Sequence, residues 1–330
     1  MAGSWGVSPL MIGLTVVAFG TSAPELMVSV GGAYSGFSDI AVGNVVGSNI
    51  FNILLILGLS ALLSPMALNR QMVRQEVPLM IGFSVLAMVF ALNGSFGRLE
   101  GLVLTLLLVG YVGLTIYQGR REGARTEQEP QEPPKGLAGT VWGQVVLVGI
   151  GLAGLGLGAR WFVFGATDIA RALGVSELII ALTVVSAGTS LPEVAASTLA
   201  ALRGQRDLAV GNVVGSNIFN ILCVLGVTSL VSPRPLVVAP EAMAFDFPVM
   251  LATAAVCLPI FFTGWIISRW EGGLLLGYYL AYTSYLVLRA MDHHYEEVFG
   301  NVLLYVVVPL TVLALVVSLW ASRHQFSRAG

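Results

Sequence analysis

The chain has 330 residues, of which 56% are hydrophobic and only 10% charged, and its mean hydropathy is +0.86. Soluble domains carry about 25% charged residues, and a soluble fold of this length has too little interior to hide so much apolar surface, so most of the chain is solvated by lipid. The formal net charge of −2 gives no basic surface for nucleic acid.

Apolar windows of roughly 17–25 residues can cross a bilayer as helices. In chain order they fall near 9–32, 41–63, 77–93, 98–117, 142–165, 176–200, 209–231, 244–263, 270–290 and 300–321. They predict an all-α integral membrane protein of about ten transmembrane helices; the short alternating segments of a transmembrane barrel do not occur. The opening "MAGSWGVSPLMIGLTVVAFG" has no Lys or Arg before its apolar run, which argues against a cleaved signal peptide. Cys223 and Cys257 both lie in apolar runs and read as small packing residues rather than as a disulfide. The long polar stretch "YQGRREGARTEQEPQEPPKG" before the fifth span reads as a flexible linker. "DHHYEE" (Asp292–Glu297) contains metal-friendly side chains but reads as a solvated, outward-facing loop.

Basic residues set the expected orientation. Loops on the side of the N-terminus hold Arg70, Arg74, Arg120, Arg121, Arg125, Lys135, Arg203, Arg206, Arg269, Arg323 and Arg328; the other side holds Arg98, Arg160, Arg171, Arg234 and Arg289. This bias of eleven to five predicts that both termini and the linker lie in the cytoplasm.

The segment "GNVVGSNIFNIL" begins at Gly43 and again, letter for letter, at Gly211. Aligning Gly6–Gly58 with Gly174–Gly226 at a constant offset of 168 gives 34 identities in 53 positions without a gap. The match continues more faintly, "EVPLM" at Glu76 with "DFPVM" at Asp246 and "RLEG" at Arg98 with "RWEG" at Arg269, so it covers spans one to four and six to nine. Five spans separate the starts of the two copies. An odd number of crossings forces opposite orientations, the inverted-topology design of secondary transporters, with the substrate site near the midplane where the copies meet. The expected organisation is a first repeat at 1–117 with four spans, a cytoplasmic linker at 118–141, a second repeat at 142–290 with five spans, and an extra C-terminal span and tail at 291–330. The fifth span has no equivalent ahead of the first copy, so the first repeat reads as lacking its leading helix.

The chemistry lies in two paired motifs. "GTSAPE" (Gly20–Glu25) is echoed by "GTSLPE" (Gly188–Glu193). A carboxylate in mid-membrane is costly and marks an ion or proton pathway. Pro24 and Pro192 have no N–H and displace the carbonyl four residues back, which frees backbone oxygens around Gly20, Thr21, Gly188 and Thr189 beside Glu25 and Glu193. Carbonyls, hydroxyls and carboxylates are the hard oxygen ligands of Ca²⁺ and Na⁺. On a helix, Ala18, Thr21, Ser22, Glu25 and Ser29 share a face. In the second motif Asn44, Ser48 and Asn52 recur every four residues, as do Asn212, Ser216 and Asn220, giving one polar stripe on an apolar helix. Gly43, Gly47, Gly211 and Gly215 leave room for another backbone. Two copies then supply two halves of one oxygen cage. Asn49 and Asn217 fall off the stripe and read as bonding to neighbouring backbone, and the acid–Pro pairs Glu76/Pro78 and Asp246/Pro248 read as helix starts rather than ligands. Ser, Thr and Asn in membrane helices also serve simply as interhelical hydrogen-bonders, but no arginine falls within the four motif spans to pair with the glutamates.

In these motifs the chain resembles the cation/Ca²⁺ exchanger superfamily, specifically prokaryotic sodium/calcium exchangers, whose two hallmark repeats look like "GTSAPE…GNVVGSNIFN" and "GTSLPE…GNVVGSNIFN". The resemblance covers spans one to nine. It implies a ten-helix inverted-repeat fold that exchanges Ca²⁺ for Na⁺ or H⁺ and does no covalent chemistry. The family's ion-binding glutamates correspond to Glu25 and Glu193, and the preceding Thr and Ser to Thr21, Ser22, Thr189 and Ser190. The Ser and later Asn or Asp of the second motif correspond to Ser48, Asn52, Ser216 and Asn220, and an ion-facing alanine carbonyl to Ala18 in one copy and Ser186 in the other. Many sodium-coupled members carry Asp at one of the positions held here by Asn52 and Asn220, so this chain retains two carboxylates in place of three. The implied function is Ca²⁺/Na⁺ antiport, with Ca²⁺/H⁺ antiport through the same cage as the alternative. Outside that class stand a passive cation channel and a transport-dead variant. The expected partners are inorganic cations and the lipid bilayer, with no cofactor and no obligatory protein partner.

Overall fold

The computed structural model describes residues 9–123, 140–262, 264–291, 295–314 and 316. Most of the linker, the first three residues of "DHHYEE" and the C-terminal tail lie outside these residues. Ten helical rods follow one another: α1 (9–34), α2 (38–63), α3 (70–91), α4 (98–123), α5 (141–172), α6 (177–202), α7 (206–231), α8 (240–262), α9 (269–290) and α10 (296–314). Eight are long and apolar enough to cross a bilayer by length and composition alone. The other two, α6 and α9, occupy the positions in the second copy that α1 and α4 hold in the first. α9 is diluted by Tyr278, Tyr279, Tyr282 and Tyr285, which lower its hydropathy without shortening it.

Two short antiparallel ribbons demonstrate the inversion. β1 (Met66–Ala67), after α2, pairs with β4 (Ile266–Ile267), before α9. β2 (Ser95–Phe96), before α4, pairs with β3 (Leu236–Val237), after α7. α3 runs from the first ribbon to the second, so the ribbons cap opposite ends of the bundle. α2 therefore ends at one face and α7 at the other: the two copies of "GNVVGSNIFNIL" run in opposite directions. Single bonds beyond each ribbon repeat the symmetry, Leu68 N–H to the Trp265 carbonyl at 2.8 Å and Val238 N–H to the Gly94 carbonyl at 2.9 Å.

The core is the motif helices themselves. In the apolar windows of α2 and α7, 83% and 89% of residues are buried, against none in those of α5 and α10, which lie on the outside. Glycine makes this packing possible. A Cβ on Gly47 would lie 2.6 Å from the Leu182 carbonyl of α6, and one on Gly215 would lie 2.9 Å from Leu14 of α1. Backbone thus rests on backbone where each motif helix crosses the first helix of the other copy. Gly211 meets the Leu10 carbonyl in the same way, at 3.0 Å.

Local irregularities also come in pairs. α1 breaks at Ser22 (φ −81, ψ 5) and α6 at Ser190 (φ −85, ψ 8), each followed by a helix with Pro in its first turn. Proline has no N–H to give the preceding turn and is pre-organised for a helix start. Wide π turns occupy 13–17 and 181–185, 52–57 and 220–225, and 72–76 and 242–246. Such insertions are frequent at functional sites because each re-aims the side chains of one turn.

Candidate functional site

Glu25 and Glu193 lie in the first turns of the helices that restart after these breaks, Ala23–Tyr34 and Leu191–Leu202, and both are fully buried. A helix start presents unpaired N–H groups and the positive end of the dipole, which favour a carboxylate there. The two acids are oriented across the repeat boundary. Ser190 Oγ donates to Glu25 Oε1 at 2.8 Å, and Ser22 Oγ donates to Glu193 Oε1 at 3.2 Å. Thr21 Oγ1 lies 3.0 Å from the Val17 carbonyl and 3.3 Å from Asn212 Oδ1; its counterpart Thr189 lies 3.0 Å from the Val185 carbonyl and 3.1 Å from Asn44 Oδ1. Either oxygen can take each hydroxyl proton.

Asn44 and Asn212, the first members of the expected stripe, act as braces. Asn44 Nδ2 donates to the Glu25 carbonyl at 3.2 Å and to Ser29 Oγ at 3.0 Å, while Asn212 Nδ2 donates to Ser197 Oγ at 2.9 Å. The remaining four asparagines form a cross-repeat network. Asn52 Nδ2 donates to Asn217 Oδ1 at 3.0 Å, and Asn220 Nδ2 donates to Asn49 Oδ1 at 3.1 Å. Asn49 Nδ2 reaches the Asn217 carbonyl at 3.4 Å, and Asn217 Nδ2 reaches Met80 Sδ at 3.5 Å. Asn49 thus meets neighbouring backbone as expected, whereas the Asn217 amide meets Met80 and Asn52 instead, and each of the two amide oxygens holds an asparagine of the other copy. Every residue from Ala41 to Phe51 and from Ala209 to Phe219 is buried, so these helices have no idle face.

The network has a directional consequence. With their N–H₂ groups held by Asn217 and Asn49, Asn52 and Asn220 have their Oδ1 atoms left over. Six buried side-chain oxygens on the motif residues have no hydrogen-bond partner: Glu25 Oε2, Glu193 Oε2, Ser48 Oγ, Ser216 Oγ, Asn52 Oδ1 and Asn220 Oδ1. They form three two-fold-related pairs, and all six can accept. Buried polar atoms are nearly always paired; oxygens without a partner also occur at Ser60, Thr228 and other buried positions, but these six all belong to the paired motifs. The helix of Glu25 packs against 220–225, and that of Glu193 against 52–57, so the set draws on both copies. Ala18 and Ser186 are fully buried beside it. Their carbonyls take the N–H groups of Ser22 at 2.9 Å and Ser190 at 3.1 Å, and each also lies 3.3 Å from a threonine hydroxyl, Thr21 or Thr189. Ser186 Oγ itself turns back to the Leu182 carbonyl at 2.6 Å. Among the described residues no three His, Cys, Asp or Glu side chains gather. The arrangement is thus neutral oxygens around two carboxylates, a donor set for hard cations rather than for a soft transition metal.

Two further acids emerge from the fold. Glu76 and Asp246 do not sit at helix starts as expected; both lie inside their rods, at the end of the π turns 72–76 and 242–246, fully buried. Tyr111 on α4 donates to Glu76 Oε2 at 3.1 Å, and Tyr282 on α9 donates to Asp246 Oδ1 at 2.9 Å. A sequence signal existed, since the acid and the tyrosine recur together at 76/111 and 246/282.

An inverted-repeat helical bundle with a buried oxygen cage at the junction of its copies defines a membrane ion transporter. Residues 1–117 and 143–288 match the sodium/calcium exchanger protein family, and the chain belongs to that family. It is 38% identical over 261 residues to the inner membrane protein YrbG of Escherichia coli, covering 77% of this chain and 78% of that protein. It is 35% identical over 311 residues to the sodium/calcium exchanger MaX1 of Methanosarcina acetivorans, covering 84% and 88%. The solved structure of the sodium-calcium exchanger NCX_Mj, soaked with Na⁺ and Ca²⁺, superposes with a TM-score of 0.69 at 34% identity, over 84% of this chain and 87% of that one.

Proposed function

We propose that this protein is a secondary antiporter that exchanges Ca²⁺ for Na⁺ across the cell membrane. Membership of the exchanger family makes it a cation transporter, not an enzyme. The supporting observation is the set of six unpaired oxygens, three from each copy, with Glu25 and Glu193 as its only charges. Their second oxygens, the serine hydroxyls and the two amide oxygens form the cage, and Thr21, Ser22, Thr189, Ser190, Ala18 and Ser186 line or hold it. An emptied cage carries two uncompensated carboxylates in a low-dielectric interior, an expensive state. It therefore crosses only when loaded, and loading from either side makes transport an exchange. Ca²⁺ and Na⁺ compete for the same oxygens. The likeness to the sodium/calcium exchangers NCX_Mj and MaX1 points the same way. The excess of Arg and Lys in loops on one side supports cytoplasmic termini.

The second reading is Ca²⁺/H⁺ antiport through the same cage. What favours it is Asn at both 52 and 220, which leaves one carboxylate fewer than in many sodium-coupled relatives. Ca²⁺ uptake into proteoliposomes separates the readings. Uptake that needs an opposed Na⁺ gradient supports the first; uptake driven by a pH jump without Na⁺ supports the second. Uptake with no counter-ion requirement identifies a channel and overturns both.

A further inference from the structure

α3 and α8 supply none of the six cage oxygens, and as sequences they have largely diverged. Aligned at an offset of 170, residues 70–91 and 240–261 share two identities in 22 positions, Pro78 with Pro248 and Met80 with Met250. The other methionines of these spans are unmatched: Met72, Met88 and Met243 align with Ala242, Leu258 and Val73. Filling space does not demand sulfur at the matched pair, since Leu and Met exchange readily in cores. We propose that Met80 and Met250 are positioning residues of the cage: their sulfurs fix the orientation of asparagine amides so that oxygens, and not N–H₂ groups, face the cation. The inference rests on the cage reading above and assigns residues outside the cage that set its chemistry.

Each sulfur acts on the opposite copy. α3 packs on α7, and α8 packs on α2. Met80 and Met250 are both buried. Met80 Sδ accepts from Asn217 Nδ2 at 3.5 Å, and Met250 Sδ accepts from Asn49 Nδ2 at 3.8 Å. Asn217 Oδ1 in turn accepts from Asn52 Nδ2 at 3.0 Å, and Asn49 Oδ1 from Asn220 Nδ2 at 3.1 Å. The result is two relays, Met80–Asn217–Asn52 and Met250–Asn49–Asn220, each ending in an unpaired amide oxygen of the cage.

An amide has a carbonyl oxygen at one end and an N–H₂ of similar size at the other. Turning it over changes its polarity more than its shape. In a chain of amides the direction of one fixes the next, because a donor must meet an acceptor. The chain therefore needs one member whose polarity cannot change. A thioether accepts and never donates, so the N–H₂ of Asn217 must face it. Asn217 then offers its oxygen to Asn52, and Asn52, having given its N–H₂, offers its oxygen to the cage. With a hydrocarbon at position 80, both amides can reverse together and keep their mutual bond. An N–H₂ group, which repels a cation, then enters the cage. The two relays depend on sulfur unequally. Asn49 Nδ2 also reaches the Asn217 carbonyl at 3.4 Å, a second pure acceptor, whereas Asn217 Nδ2 relies on Met80.

The test is the Kd for Ca²⁺ of the purified protein, measured by titration calorimetry, with KM and maximal rate of Ca²⁺ uptake in proteoliposomes. Met80→Leu is expected to raise Kd and KM about three- to tenfold, the scale of one weak buried bond. Maximal rate and unfolding midpoint should stay near wild type. Met250→Leu should have a smaller effect, and Met88→Leu, on the same helix as Met80, none. In the Asn217→Leu background Met80→Leu should add nothing, because the relay is already cut. Wild-type Kd in both Met80→Leu and Met250→Leu overturns the proposal. So do effects of Met80→Leu and Asn217→Leu that simply multiply, which is the behaviour of packing. If Met80→Leu does not fold, the same cycle on Met250 and Asn49 decides. A shifted Kd supports the relay whatever the counter-ion, so failure of the antiporter reading is not mistaken for failure of this one. Wild-type protein that binds no Ca²⁺ overturns the cage reading and this inference with it.

Discussion

Ser190 Oγ donates to Glu25 Oε1 across 2.8 Å, so a hydroxyl from the second repeat aims the carboxylate of the first. The reverse contact, Ser22 to Glu193 at 3.2 Å, is its two-fold partner. Neither half of the protein can orient its own acid alone. Glu25→Gln and Glu193→Gln are each expected to abolish Ca²⁺ uptake. Stripping one charge from a buried set costs about 3–5 kcal/mol, a loss of two orders of magnitude or more in affinity. Ser190→Ala keeps both charges and loses one charge-assisted bond of about 1.5–3 kcal/mol, which weakens Ca²⁺ binding roughly tenfold or more. Calcium uptake titrations on the three variants check the order; near-normal uptake by either glutamine variant would remove the acids from the cage.

The asparagine network supplies a second prediction. Asn217→Leu removes the acceptor that holds Asn52 Nδ2 and frees that amide to rotate. The expected result is a raised KM for Ca²⁺, by roughly tenfold for one lost buried bond of about 1 kcal/mol plus misorientation, with maximal rate less affected. Asn49→Leu should behave alike through Asn220. An unchanged KM in both variants would show that the network is packing alone.

Close backbone crossing is testable at Gly47 and Gly215. A Cβ at Gly47 would stand 2.6 Å from the Leu182 carbonyl, whereas one at Gly82 would meet nothing within 4 Å. Gly47→Ala is expected to destabilise by about 1–3 kcal/mol, as overpacking does. Gly82→Ala should be neutral or slightly stabilising. Thermal unfolding in detergent, followed by loss of the monodisperse peak, distinguishes them; equal midpoints would contradict the crossing.

The Tyr282–Asp246 bond of 2.9 Å is expected to be structural. Tyr282→Phe removes a donor from a buried acid at a cost of about 1–3 kcal/mol. Once Asp246→Asn is present, the same substitution should cost less, because the pair is coupled. A double-mutant cycle on unfolding midpoints measures this, and strict additivity would show no coupling.

Orientation is checked by labelling. Cys223 and Cys257 are both buried and free, so they give little background. A cysteine introduced at Arg125 should react with a membrane-permeant maleimide and resist an impermeant one in intact cells. Labelling by the impermeant reagent would reverse the assigned topology.

The amino-acid sequence by itself was enough for the spans, the inversion and the burial of the two motif glutamates. Hydropathy is a local property, and an exact repeat offset by five spans decides orientation by parity. The ten expected windows correspond one for one to α1–α10, with described ends moved by up to seven residues. The positions of Glu25 and Glu193 followed from the cost of a charge in lipid and the proline beside each. Only the tertiary structure decided which atoms of the asparagines are spent and which are left over. The stripe of Asn44, Ser48 and Asn52 assumed one functional face, but α2 is buried on every side, and Asn44 turned out to be a brace while Asn49 became a positioning residue. Glu76 and Asp246 were likewise misread as helix starts, because the tyrosines that hold them come from another helix, 35 and 36 residues away. An amide's role depends on which neighbour lies within about 3 Å of its nitrogen, and helical periodicity carries no information about a neighbour contributed by the opposite, inverted copy.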